Sequence, residues 1–224
     1  PGFGLSTHPS NYGFTSKEHA AVVGELVDHL DLQDFIVMGQ DWCGQIGMAD
    51  ASERADRVRG LVMGNTWFWP DSGRIASTFS MVMSSPPLQW LITQRNFFVS
   101  PMMKRTLRAK LSDAEFAHYV DVVPTAKSRA GIAEFPRQIR AARPWLREVE
   151  ERVRATLSDK PLLLTWGMRD PAFRGSKFID TWLTTFSDTT LVRMEDAGHY
   201  IQEDAPESIA QAIQEKFSSA APTP

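Results

Sequence analysis

Asp41, Asp170 and His199 are the residues of this 224-residue chain whose types and order could do chemistry together. Asp41 lies in FIVMGQDWCGQIGMADA, residues 35–51, where a short apolar run ends at Gly39-Gln40, turns at Asp41-Trp42 and continues as an Ala/Gly/Ile/Met helix. That is the outline of a strand–elbow–helix presenting a nucleophile at the tip of a sharp turn. Asp170 follows an apolar run in LLLTWGMRDPAF, and His199 follows another in EDAGHYIQED. Singly, each aspartate has a plainer reading: Asp41 as a helix N-cap, Asp170 as a turn former before Pro171. Together, parallel strands would bring all three loops to one face, in the chain order nucleophile, acid, histidine.

A carboxylate at the elbow narrows the chemistry. Attacking an sp3 carbon, it expels a leaving group and becomes an alkyl ester, whose carbonyl a water activated by His199 can then attack. A serine would be left as an ether with no easy route to hydrolysis. Alkyl halides and epoxides are the substrates this implies. Asp170 would fix the imidazole tautomer and stabilise the imidazolium. The Trp42 backbone N–H, at the helix start, would face the oxyanion of ester hydrolysis. Its indole N–H, a donor only, suits a departing halide. Opening an epoxide needs acidic donors, usually tyrosines; the central helical region contains only Tyr119, with Tyr12 and Tyr200 outside it. Halide is favoured, with epoxide as the alternative.

The elements that must position these residues are legible from periodicity. Residues 15–30 have helical spacing, with Thr15 as N-cap and Glu18 three positions on. DFIVMG reads as a buried strand, and the helix after the elbow runs to about residue 54. Further strands are predicted near 58–63, 161–167 and 189–195, and a last helix over 206–217, before a tail, SSAAPTP, that reads as disordered. Alternating strands and helices predict an α/β fold with a parallel sheet. Between 70 and 157 the pattern is helical, rich in Met, Phe and Trp, and reads as a cap over the sheet's C-terminal edge. The domain division is therefore core 1–69, cap 70–157 and core 158–224. His8, His19, His29 and His118 fall on helices or turns and read as solvated.

A formal charge of −3 argues against a nucleic-acid or membrane-surface protein. No apolar run approaches the ~18 residues of a membrane helix. The single cysteine, Cys43, excludes an internal disulfide, fits a reducing, cytoplasmic setting and reads as a small buried filler.

GQDWCG, DRVRGLVMGNTWFWP, LLLTWGMRDPAF and AGHYIQEDAPE together resemble the haloalkane dehalogenases, members of the α/β-hydrolase superfamily, most closely the subfamily whose acid follows the strand after the cap. The likeness runs from PGFGLS to the last helix. It implies cofactor-free hydrolysis of a halogenated hydrocarbon by water, with Asp41 as nucleophile, Asp170 as acid, His199 as base and Trp42 as halide-binding residue, and no metal. Epoxide hydrolases share the Asp-Trp elbow. Fluoroacetate dehalogenases are similar but hold a carboxylate with arginines, one of them where this chain has Trp42.

The likeness has gaps. The family elbow reads D-W-G-G, and Cys43 stands at its first glycine, which predicts strain at Asp41. Asp50, on a buried helix with Gln45, needs a partner. Family members carry four further strands before PGFG and a His-Gly-Asn-Pro loop whose asparagine is the second halide donor; neither occurs in this sequence. Pro1-Gly2 accordingly reads as the interior of a longer sequence. FIVMG is then predicted to be an open edge, which invites homo-oligomerisation, and a non-catalytic, oligomerising remnant of the fold is the reading from another class. Asn65 is a substitute candidate for the missing donor, and Asp71 an alternative acid.

Overall fold

We describe residues 1–70 and 73–218 of the chain in a computed structural model. Asp71 and all but the first residue of the SSAAPTP tail lie outside the described residues. Four strands, β1 (Phe35–Asp41), β2 (Val58–Thr66), β3 (Leu162–Gly167) and β4 (Thr189–Met194), form a parallel sheet in the order β1-β2-β3-β4. β2 extends three residues beyond its sequence-predicted end, so Thr66 pairs with Asp41.

Each strand's alternation divides the core into two faces. Leu61 and Met63 of β2 and Leu162 and Leu164 of β3 point to one side. There they meet α2 (Trp42–Glu53), α8 (Arg143–Thr156) and α9 (Ser176–Thr185). Val62 and Leu163 point to the other side, against Ala212 and Phe217 of α11 (Pro206–Phe217). All six β3 residues are buried, which is why LLLTWG shows no polar alternation. α1 (Ser16–His29) starts with the expected capping box: Thr15 Oγ1 accepts from Glu18 N, and Glu18 Oε2 accepts from Thr15 N. β1 is an outer strand with Met38 exposed, matching the predicted open edge.

Between β2 and β3 the chain is helical: α3 (Gly73–Met83), α4 (Pro86–Arg95), a π-turn over Phe98–Met103 that runs into α5 (Lys104–Thr106), α6 (Asp113–Asp121), α7 (Ala130–Ala141) and α8. Met83, Ile92 and Ala133 give this region its own small apolar cluster, with Phe97, Phe98, Met102 and Ile132 packed around it. Leu146, Val149 and Val153 of α8 instead join the main core. A short α10 (Ile201–Asp204) follows the β4 loop. No helix among the described residues is long and apolar enough to cross a membrane.

Three sequence-based expectations change. Cys43 is exposed, not a buried filler. The close approach falls to its neighbours: a Cβ on Gly44 would lie 1.9 Å from Thr66 Oγ1, and one on Gly39 would lie 2.7 Å from the Cys43 carbonyl. The side chain of Cys43 therefore never enters the crowded position. His19 is buried, its Nδ1 2.9 Å from the Tyr12 hydroxyl and its ring packed among Phe3, Phe14 and Phe135. Helical period alone does not show that an N-terminal aromatic turn folds over that face.

Asp50 has its partner in Arg54, one helical turn on, with Nη1 2.7 Å from Oδ1. Arg54 also holds Asp28 on α1, so one guanidinium ties α1 to α2. Burial raises the Asp50 pKa, and Arg54 opposes that shift. Replacing Arg54 with Met leaves a buried carboxylate unpaired, with an expected loss of about 3 kcal/mol and roughly 6–12 °C in Tm. Thermal unfolding of Arg54→Met and of Arg54→Met/Asp50→Leu at neutral pH checks this: the double variant should recover most of the loss.

Candidate active site

The site is assembled at the C-terminal ends of β1, β3 and β4. Asp41 ends β1 in a left-handed conformation, φ 49° and ψ −122°, immediately before α2. For a non-glycine residue this costs of order 1–3 kcal/mol, and it persists only where its surroundings enforce it. Here the tight passage of Gly39 and Gly44 and a 2.5 Å hydrogen bond from Thr66 Oγ1 to the Asp41 carbonyl do so. Asp41 makes no side-chain cap to α2, so the N-cap reading falls away and its carboxylate stands free for other partners. Trp42 is the first residue of α2, where backbone N–H groups have no helical acceptor.

His199 lies between the two aspartates. Its Nδ1 is 2.9 Å from Asp170 Oδ2 and its Nε2 is 3.6 Å from Asp41 Oδ2. The Asp170 side chain is fully buried, whereas Asp41 retains 27% exposure toward the cavity. Asp170 is held on both oxygens: Oδ1 accepts from Ala172 N at 2.7 Å, and Oδ2 also accepts from Asn65 Nδ2 at 3.0 Å. Asn65 is itself clamped, its Oδ1 accepting from Gly167 N and its Nδ2 donating to Gly167 O. With both amide hydrogens engaged it has none left for a halide, which removes it as the substitute donor and makes it a brace for Asp170.

The histidine loop is fixed from two directions. Gln40 Nε2 donates to the His199 carbonyl at 2.9 Å. Asp204 accepts from Gly198 N on one side and from Arg108 N and Ala109 N on the other, tying the loop to the segment after α5. Sequence reading missed Gln40, Asp204 and the role of Asn65. The signal for Asn65 was its place at the end of β2, beside the end of β3.

A cavity of about 500 Å³ opens over Asp41. Trp42, Trp67, Phe79, Phe98, Phe135 and Phe173 give most of its aromatic wall. The indole of Trp42 is sandwiched, its face stacked on Phe135 at 5.0 Å and an edge-to-face contact made with Trp67 at 5.2 Å. Phe3 stacks on the other side of Phe135 at 5.5 Å. Tyr119 does not line this space; its hydroxyl donates to Glu203. Among the described residues no group of three or more His, Cys, Asp or Glu is arranged to hold a metal.

Burial alone would lower the His199 pKa, but hydrogen bonds to Asp170 and Asp41 and the charges of both carboxylates outweigh it and raise it to about 10. A raised histidine pKa adds stability that is fully present below the unfolded value near 6.5 and lost as pH climbs through about 10. Asp41→Asn removes one of the two carboxylates. The variant is expected to titrate His199 at lower pH and to lose less stability between pH 6.5 and 10 than the parent. NMR titration of the ring and urea unfolding at the two pH values measure both.

Residues 1–206 match the family described as alpha/beta hydrolase fold. The chain is 53% identical over 216 residues to the proteins named haloalkane dehalogenase 2 of Mycobacterium tuberculosis and Mycobacterium bovis, covering 96% of this chain and 76% of those relatives. Haloalkane dehalogenase DbeA from Bradyrhizobium elkani has the same fold, with a TM-score of 0.84 at 23% identity over 98% of this chain and 78% of that one. DatA from Agrobacterium tumefaciens superposes equally well, at 21% identity with the same coverage. An elbow carrying Asp-Trp, an aspartate after β3 and a histidine after β4 sit on that fold, and the chain belongs to the haloalkane dehalogenase family of the alpha/beta hydrolases.

Proposed function

We propose that this chain hydrolyses neutral haloalkanes to an alcohol and halide through an alkyl ester on Asp41. The observation that carries the reading is a carboxylate at the elbow, open to an apolar cavity, with His199 3.6 Å away. An Asp41 oxygen attacks the carbon bearing the halogen; the C–O bond forms as the carbon–halogen bond breaks, and the halide leaves with the bonding pair. Trp42 Nε1–H receives the developing negative charge in a space from which aromatic rings exclude water.

Ester formation changes His199. Once Asp41 is a neutral ester, one of the two carboxylates that hold the imidazolium proton is gone. The pKa falls, and the neutral ring can take a proton from water as that water attacks the ester carbonyl. Asp170, still charged, holds Nδ1–H and balances the new imidazolium. The Trp42 backbone N–H stabilises the tetrahedral oxyanion, which collapses to alcohol and restores the carboxylate. Haloalkane and water give alcohol, halide and a proton, with no cofactor in the balance. A cytoplasmic setting, supported by the lone cysteine, belongs to the same proposal.

The walls select against other substrates. Among the described residues no Lys or Arg lines the cavity, and the charged lining groups there are Asp41, Asp170 and His199, so a haloacid carboxylate finds no partner among them. An epoxide finds no good acid. Tyr119 is engaged with Glu203, and burial together with the Asp41 charge pushes Tyr200, which lines the cavity, up to about 12.

Bromide release from 1,3-dibromopropane tests the reading, with bromoacetate as the anionic comparison. Turnover of the first, none of the second, and loss of at least 10³-fold in Asp41→Ala is the expected pattern. Bromide at undiminished rate from Asp41→Ala, or none from the folded parent chain, would overturn it.

A further inference from the structure

Behind the active-site cavity lies a further recess, of about 450 Å³, whose lining is cationic. Arg137 and Arg140 of α7 and Arg143, the first residue of α8, face Ser80 of α3 and Ser84 of the turn after it. Among the described residues no Asp or Glu lines it. Three guanidinium groups around one recess repel one another, and this happens in a chain whose formal charge is −3.

The recess and the cavity share a wall. On α3, Ala76 and Phe79 line the cavity while Ser80 lines the recess. On α7, Pro136 and Ile139 line the cavity while Arg137 and Arg140 line the recess. The two helices thus present an apolar stripe inward and a basic stripe outward.

Arginines elsewhere meet carboxylates: Arg54 and Arg57 hold Asp28, Arg152 meets Glu53 and Arg154 meets Glu150. Arg140 and Arg143 meet none among the described residues. Arg137 has Glu134, with Nη1 3.3 Å from Oε2, an i,i+3 surface pair of the kind worth little. Arg143 is anchored, its Nη2 donating to Ser77 Oγ at 2.5 Å, which lowers the rotamer cost of binding. Each guanidinium presents a planar fork of N–H groups that fits two oxygens of one anion. Convergent forks suit a dianion with several oxygens, not a single-centred halide.

We propose that the recess between α3 and the α7–α8 junction binds a phosphate dianion, as the free ion or as a monoester, held by Arg137, Arg140 and Arg143. Bound there, it straps α3 to α7 from outside the cavity. The proposal stands apart from the dehalogenase reading, since none of the three arginines lines the cavity.

Thermal unfolding of the parent chain in inorganic phosphate, against potassium chloride at matched ionic strength, tests it. Binding at a site raises Tm along a saturating curve, whereas a general salt effect does not saturate and is the same in every variant. Arg137→Gln/Arg140→Gln changes two exposed side chains away from Asp41, and should weaken phosphate at least about 10-fold. An equal phosphate response in parent and variant would overturn the proposal. So would a variant that loses the same stability with and without phosphate, because the arginines would then serve only the C-terminal end of α7. A second measurement needs no substitution. In the parent chain labelled with 15N-arginine, phosphate should shift the Arg137, Arg140 and Arg143 resonances with one dissociation constant, and chloride should not. Shifts spread over many arginines without saturation would overturn it, even if the variant fails to fold. Glycerol 3-phosphate is titrated alongside: tighter binding than inorganic phosphate supports a monoester as occupant, and equal binding supports the free ion.

Discussion

One imidazole shared by two carboxylates is the arrangement on which the rest of the molecule depends. Asp170 reaches Nδ1 from the end of β3, and Asp41 reaches toward Nε2 from the end of β1. Two like charges this close repel each other, and the proton on His199 is what makes the resting cluster tolerable; its pKa near 10 expresses that. Asn65 and Ala172 hold the Asp170 carboxylate, and Gln40 holds the His199 backbone, so these two partners are fixed beside the free Asp41 carboxylate. Neutralising the Asp41 carboxylate removes one of the two charges that hold the His199 proton, and under the proposed mechanism this links alkylation to hydrolysis.

The fold meets the geometric cost of that cluster in the elbow. Asp41 is held at positive φ by a strand–helix crossing so tight that neither Gly39 nor Gly44 has room for a Cβ. The cavity above is walled by aromatic rings, Trp42 and Phe135 among them, and Phe3 of the N-terminal turn continues their stack behind the wall, so that it spans the N-terminal turn, α7 and the elbow. Three segments distant in sequence thus fix one indole. Low local polarity strengthens each hydrogen bond made in that cavity, and it also makes any unsatisfied donor there costly.

Much of this was legible in the chain itself. All four strands were visible as short apolar or β-branched runs, most clearly β3, which is buried throughout, and the elbow, the Asp170 loop and the His199 loop follow three of them directly. The histidine and both aspartates come together as strand order requires. What escaped reading depends on neighbours across the sheet. Asn65 was weighed as a halide donor because its sequence context shows only a strand end; the register that sets it beside Gly167 and Asp170 belongs to the tertiary structure. Cys43 was expected to intrude where Gly44 in fact makes the close contact, a difference of one helical position. Asp204 similarly takes its role from a segment 95 or more residues away, and His19 from the N-terminal turn that folds back over it together with Phe135.

The most direct test of the account is the covalent state of Asp41 after reaction in a His199→Gln variant. That variant is expected to accept the alkyl group but not to hydrolyse the ester. After incubation with 1-bromohexane and digestion, mass spectrometry should find a hexyl group on the peptide containing Asp41, and none in the His199→Gln/Asp41→Asn chain. A hexyl group on any other residue, or no adduct on the His199→Gln variant while the parent chain releases bromide, would contradict it.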